Sequence, residues 1–261
     1  MYEIFGITAA LLLLYVLLQW AASLLLKDAS IVDRFWGGGF ALVAVASFVY
    51  PGQGTPRGWL LLLMAAIWGL RLSVYLTWRN WGQGEDYRYR AMRKRHGNRF
   101  PLVSLGTVFF FQGLLTWFIS LPLQFGIGAQ SAEPLSVLDY FGATIWLIGL
   151  LFESVGDFQL TRFKADPANV GRVMDRGLWR FTRHPNYFGD ALVWWGIFLV
   201  AASAPYGVYT VLSPALMTFL LAWVSGVRLL EKKLVKTRPE YANYVARTNA
   251  FIPGPPKKSA R

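Results

Sequence analysis

The run IFGITAALLLLYVLLQWAASLLL, residues 4–26, decides the fold. It carries no charge and is long enough for a helix to cross roughly 30 Å of hydrocarbon, which takes about 20 residues. Similar runs recur along the 261-residue chain, which is 55% hydrophobic and 15% charged. Soluble domains carry about 25% charged residues, so the composition points to an all-α integral membrane bundle. Seven spans are expected, near residues 4–26, 35–51, 58–78, 105–127, 136–160, 188–204 and 207–230. The second and sixth are short or interrupted by glycine. No long polar segment is left for a second domain, and no internal repeat stands out. The first run follows Glu3 and no basic residue, and it exceeds the length of a signal peptide, so a retained helix is expected.

The net charge of +12 suggests nucleic acid until its distribution is read. Arg79, Arg88, Arg90, Arg93, Lys94, Arg95 and Arg99 lie between the third and fourth spans. Arg162, Lys164, Arg172, Arg176, Arg180 and Arg183 lie between the fifth and sixth. The loop between the second and third has only Arg57, and the loops after the fourth and sixth have no Lys or Arg. The positive-inside rule then puts the C-terminus in the cytoplasm and the N-terminus outside. Trp36, Trp59, Trp78, Trp81, Trp179, Tyr206 and Tyr209 sit near span ends, where interfacial anchors belong. Without cysteine, and with only His96 and His184, the chain has no disulfide and no material for a histidine-rich metal centre.

Polar residues at the mouth of an apolar bundle are costly and mark sites. The densest such run is Arg183-His184-Pro185-Asn186-Tyr187-Phe188-Gly189-Asp190. If Pro185 opens a helix, Asn186, Asp190 and Trp194 fall on one stripe. Asp190 then either serves a ligand or caps its helix and pairs with Arg183. Glu153 and Asp157 are four apart and share a helix face. They either pair with arginines or accept hydrogen bonds from ribose or amide groups. Arg88, Lys164, Arg172, Arg176 and Arg183 suit a polyphosphate, although topology and anionic lipid account for most such cations. The stretch Gly84-Glu85-Asp86-Tyr87-Arg88-Tyr89 reads as an aqueous loop, either ordered over a nucleotide or solvated. Arg71, Tyr75, Asp33 and Gln112 lie in or beside spans. A phenol and a protonated acid there can hydrogen-bond a ketone oxygen and stabilise charge developing on it. The plainer readings are an interfacial anchor for Tyr75 and an Asp33–Arg34 ion pair. No strand–Gly-x-Gly-x-x-Gly–helix unit, P-loop, zinc motif or Ser-His-Asp set is present.

Residues 176–190, together with Arg238-Pro239-Glu240-Tyr241, Arg247-Thr248 and Phe251-Ile252-Pro253, resemble the steroid 5α-reductase C-terminal family in its bacterial branch. They are more distantly similar to sterol C14-reductases and isoprenylcysteine carboxyl methyltransferases. The resemblance is strong from Glu153 to Pro253 and weak in the first hundred residues. It implies NADPH, with Asp157, Leu160, Arg172, Asn186 and Asp190 as contacts. Arg183, His184 and Tyr187 belong to the shared Arg-His-Pro-x-Tyr core. Lys164 stands in place of an arginine, Glu153 in place of an asparagine, and Arg228 matches an arginine on the last span. Tyr75 resembles the tyrosine that holds the substrate ketone. The family's Gln-Glu pair is absent, and Asp33 is the nearest acid.

The expectation is a single membrane domain whose first half, 1–130, binds a hydrophobic substrate and whose second half, 131–261, binds NADPH. A hydride passes to the double bond of an α,β-unsaturated ketone, such as a 3-oxo-Δ4-steroid, entering from the lipid. Asp33 and Tyr75 are the expected catalytic pair. A monomer in the bacterial inner membrane, with no metal and no nucleic-acid partner, completes the expectation. An S-adenosylmethionine-dependent methyltransferase fits the Arg-His-Pro core too, but its cofactor has no phosphate for the arginines. A lipid scaffold or transporter fits less well, because the polar residues gather at helix ends and no repeat is seen.

Overall fold

A computed structural model describes residues 2–50, 54–129, 133–224, 227, 231, 234, 235, 237, 238 and 240–257. Every regular element among them is helical, apart from one isolated bridge between Thr182 and Asn249. Five helical stretches are long and apolar enough to cross a membrane: Tyr2–Leu26, Pro56–Asn80, Tyr87–Ile119, Val137–Ala165 and Gly207–Val224. Helices predominate because in hydrocarbon the backbone must satisfy its own hydrogen bonds.

The chain divides into two compact units, 1–140 with 197–213, and 141–196 with 214–261. In the first, α1 (Tyr2–Leu26) is followed by a single turn α2 (Ile31–Arg34) and then α3 (Trp36–Val49). The expected second span is thus a 14-residue helix, about 21 Å long at 1.5 Å per residue. It is buried against α4 (Pro56–Asn80), where a Cβ on Gly37 would lie 2.2 Å from the Gly69 carbonyl oxygen. Thr55 caps α4, accepting from the Gly58 N–H at 3.0 Å, and Pro56 takes the first-turn place where its missing N–H costs nothing.

The expected aqueous loop after α4 is shorter than read. Asp86 caps a helix α5 (Tyr87–His96) by accepting from the Arg88 N–H at 2.9 Å. From α5 the helix runs on through α6 (Phe100–Ser104), a π-helical stretch at Leu105–Phe110 and α7 (Phe111–Ile119). A break at Ser120 and Pro122 starts α8 (Leu121–Gly128). The cations of α5 hid its helical character, because an N-cap followed by polar residues has no apolar periodicity to report it.

One charge expected to mark a loop is buried. Arg57, 2% exposed, donates from Nε to Asp139 Oδ1 at 2.9 Å and from a terminal nitrogen to Oδ2 at 3.1 Å. Asp139 is fully buried and also accepts from the Ser136 N–H and hydroxyl. A charge in apolar surroundings survives only with such pairing.

In the second unit α9 (Val137–Ala165) and α10 (Pro185–Ala202) meet backbone to backbone. A Cβ on Gly189 would sit 2.5 Å from the Gly149 oxygen, and one on Gly196 would sit 2.6 Å from the Gly142 oxygen. A Cβ on Gly156 would approach Asn186 N at 3.2 Å. The pairs run in opposite directions, so the helices are antiparallel. Glycines 142, 149 and 156 facing 189 and 196 recur every seventh residue, about two turns, so each helix presents one face of small residues on which the backbones approach closely. This short-range pattern was present in the sequence and unread. Pro185 opens α10, as its position implies. Beyond it lie α11 (Leu212–Phe219), a π-helical turn at Leu220–Val224, and α12 (Tyr241–Arg247).

Candidate functional site

Each unit holds a polar cluster. In the first, α2 brings Asp33 to α5 and α7. Asp33 Oδ1 accepts from the Tyr89 hydroxyl at 2.9 Å and from Gln112 Nε2 at 3.1 Å. Its Oδ2 accepts from Arg88 at 2.8 Å. Three donors on one group are the surroundings of a carboxylate, which accepts and does not donate. Arg34, which the plainer reading paired with Asp33, bonds Asp28 instead at 2.6 Å. The same joint is tied again by Glu85, which accepts from the Ala29 N–H and twice from Arg93, and by Ser30, which accepts from the Asp86 N–H at 2.7 Å. Glu85, Asp86, Arg88 and Tyr89 thus hold α2 against α5.

Gln112 also lines a narrow cleft with Leu12, Tyr15, Phe35, Trp36 and Thr116, with about 10 Å³ of free room, enough for one water. Tyr75 lies on α4 with its ring near two guanidinium groups, Arg79 at 5.4 Å and Arg71 at 5.8 Å from its centroid. Tyr89 and Arg88 are the residues here that the sequence reading did not join to Asp33. Their only signal was that an acid and a phenol both flanked apolar runs.

In the second unit, Glu153 and Asp157 share a face of α9 and are 3% and 4% exposed. Asn186, on the first turn of α10, donates from Nδ2 to Asp157 Oδ1 at 3.1 Å. Its Oδ1 is buried and has no hydrogen-bond partner among the described residues. Asp190, one turn on, is buried as well. Leu160 is half-buried, and Lys164 and Arg172 are exposed. Gln159 fixes the loop that follows: its Oε1 accepts the Leu178 N–H at 3.0 Å, and the Trp179 indole donates to the Gly156 oxygen at 3.0 Å. Arg228 lies outside the described residues.

Arg183 and His184 face the C-terminal tail. Arg183 donates to both Glu231 oxygens, at 2.6 and 3.0 Å, and to the carbonyls of Val245 and Thr248. His184 Nε2 is 3.1 Å from Glu231 Oε1, and its ring stacks on Tyr187 with centroids 5.5 Å apart. Thr182 donates to the Phe251 carbonyl at 2.8 Å, and the Arg183 N–H bonds the Asn249 carbonyl at 2.9 Å. Arg247 pairs with Asp175, and Arg238 donates to the Arg172 carbonyl. The two sequence stretches that carried the resemblance are therefore bonded to each other. Burial raises the Glu231 carboxyl, but hydrogen bonds from His184 and Arg183 and the Arg183 charge outweigh it and hold it at about 2. Burial lowers His184 against the pull of Glu231, so a neutral ring donating from Nε2 accounts for the contact. Glu231 was not singled out in the sequence, where it opens an ordinary Glu-Lys-Lys run.

These features define a helical protein with several helices fit to cross a membrane and two polar clusters, the one around Asp33 partly exposed and the one around Asp157 and Arg183 largely buried. The chain belongs to the family described as "Protein of unknown function (DUF1295)", whose model matches residues 19–248. An uncharacterized protein of Schizosaccharomyces pombe is 24% identical over 263 residues, covering 90% of this chain and 75% of that relative. No solved structure matches it.

Proposed function

We propose that the protein is an NADPH-dependent membrane reductase acting on the carbon–carbon double bond of an α,β-unsaturated ketone, with a 3-oxo-Δ4-steroid as the model substrate. The observation that carries this is Asn186. Its buried Oδ1 is unpartnered among the described residues, while its Nδ2 is held by Asp157. A buried acceptor left unpaired costs about 1–3 kcal/mol, and a ribose hydroxyl or carboxamide N–H satisfies it. Glu153, Asp157, Leu160 and Asp190 are assigned to the nucleoside with it. Lys164 and Arg172, both exposed, suit the phosphates. Arg183, His184 and Tyr187 act through Glu231 and the tail, and Arg228 is assigned to the cofactor by resemblance alone.

When bound, NADPH supplies the hydride. Tyr75 donates a hydrogen bond to the ketone oxygen, where negative charge develops as the β-carbon receives hydride. Asp33, held by Tyr89, Gln112 and Arg88, orients the polar wall of the first unit. A proton then completes the α-carbon. Apolar surroundings exclude water and strengthen each of these hydrogen bonds. Seven spans, an outer N-terminus, a cytoplasmic C-terminus and a monomer in a bacterial inner membrane belong to the same proposal.

The test is steroid-dependent loss of NADPH absorbance by the detergent-purified protein, with progesterone as substrate and products weighed by mass spectrometry. A gain of two hydrogens supports the proposal, and Tyr75→Phe then lowers kcat by roughly 100-fold or more. Binding of S-adenosylmethionine, with no binding of NADPH, overturns it in favour of the methyltransferase.

A further inference from the structure

The stretch 87–99 holds more positive charge than its own fold uses. Arg88 is neutralised by Asp33 and Asp86, at 2.8 and 2.9 Å. Arg93 is neutralised by Glu85 at 2.7 Å and lies over the Phe100 ring, 4.1 Å from its centroid. Arg90, Lys94, Arg95 and Arg99 remain. All are exposed, and none has an acidic partner among the described residues.

Their placement is ordered. Tyr89 and Phe100 are buried in one apolar cluster with Val16, Ile31, Val32, Val108 and Phe109, and Met92 packs against it. That fixes the inner face of α5. Arg90 and Lys94 are four apart and share a face of α5, Arg95 follows on the same helix, and Arg99 closes the short turn Gly97–Arg99 that leaves it, so the free cations lie on the outer side of α5 and its C-terminal turn. The segment is bracketed by exposed apolar side chains. Trp78 and Trp81, 63% and 77% exposed, end α4, and Leu102, 74% exposed, begins the apolar continuation of the helix. Exposed tryptophans at a helix end mark the headgroup level of a bilayer. Cations at that level meet lipid phosphates, and the attraction to an anionic leaflet falls off within a Debye length. A soluble phosphate or nucleotide has no use for the flanking Trp78, Trp81 and Leu102, whereas a lipid covers them with its acyl chains.

We propose that the outer side of α5 and the turn that follows it, carrying Arg90, Lys94, Arg95 and Arg99, binds the headgroups of anionic phospholipids and retains those lipids where the chain enters the bilayer. The surface is separate from the residues assigned to the reductase, and the proposal stands whether or not that assignment does.

The test presents the full-length protein in detergent with equal amounts of phosphatidylglycerol and phosphatidylcholine, then washes it and measures the retained lipid by mass spectrometry. The wild type is expected to retain phosphatidylglycerol in clear excess. R90Q/K94Q/R95Q/R99Q is expected to reduce that excess by roughly tenfold or more, and R90K/K94R/R95K/R99K is expected to keep it. A control, R162Q/R176Q/R180Q, removes exposed cations elsewhere and is expected to leave the excess largely intact. Equal loss in the control overturns the proposal, because net charge is then the cause. Displacement of the lipid by inorganic phosphate at constant ionic strength also overturns it, in favour of a free-phosphate site. Absence of any excess in a monodisperse wild type overturns it outright.

Discussion

The Tyr89 hydroxyl donates to Asp33 Oδ1 at 2.9 Å, across 56 residues of sequence. With Arg88 and Gln112 it makes Asp33 the point where α2, α5 and α7 are tied together. A hydrogen bond to a charged partner contributes about 1.5–3 kcal/mol. Tyr89→Phe and Asp33→Asn are each expected to lower thermal stability in detergent. The double variant is expected to lose less than the sum, with a coupling of about 1 kcal/mol or more. Strict additivity in thermal unfolding sinks the idea that the pair acts as a unit.

Gly189→Ala is expected to harm the second unit far more than an ordinary helix substitution. Its Cβ would lie 2.5 Å from both the Glu153 nitrogen and the Gly149 oxygen, so two backbones must part. The cost is roughly 1–3 kcal/mol, read as a lowered melting temperature. Gly6→Ala on α1, where a Cβ would meet nothing within 4 Å, is the matched control. Equal behaviour of the two variants means that α9 and α10 are not packed as described.

Acid is expected to loosen the C-terminal tail. The folded His184 and Glu231 both have pKa values below their unfolded ones, 6.5 and 4.5. The unfolded chain therefore binds more protons in the window between, and stability rises with pH there. The contribution is complete above about pH 6.5. It declines first through His184, and then through Glu231 between 4.5 and about 2. The protection factors of amides over residues 241–257, each taken relative to the intrinsic exchange rate at the same pH, are expected to fall as pH falls from neutral toward mildly acidic. His184→Asn is expected to remove the first part of that dependence. A flat profile in the wild type contradicts the assignment.

If the second unit binds NADPH, Arg172→Ala is expected to weaken NADPH more than NADH, because the 2′-phosphate is lost as a partner. Asn186→Ala is expected to weaken both alike, since its contact is to the nucleoside portion. Isothermal titration without substrate separates binding from chemistry. Equal effects of Arg172→Ala on both nucleotides withdraw Arg172 from the phosphate role.

Length and apolarity alone determine that this chain is built from helices fit to cross a membrane, because hydrocarbon leaves the backbone little other choice. The start of α10 at Pro185 and the shared face of Glu153 and Asp157 were equally legible, since a helix repeats every 3.6 residues and proline fits its first turn. Partnerships across long separations were not. Asp33 had Arg34 beside it and bonds Arg88 and Tyr89; Arg183 had Asp190 within reach and bonds Glu231; Arg57 read as a loop charge and is buried on Asp139. Local spacing dictates which residues share a face. Only the packing of whole helices decides which faces meet, because many acids are available to each arginine and the cost of burying a charge selects among them after the bundle has closed.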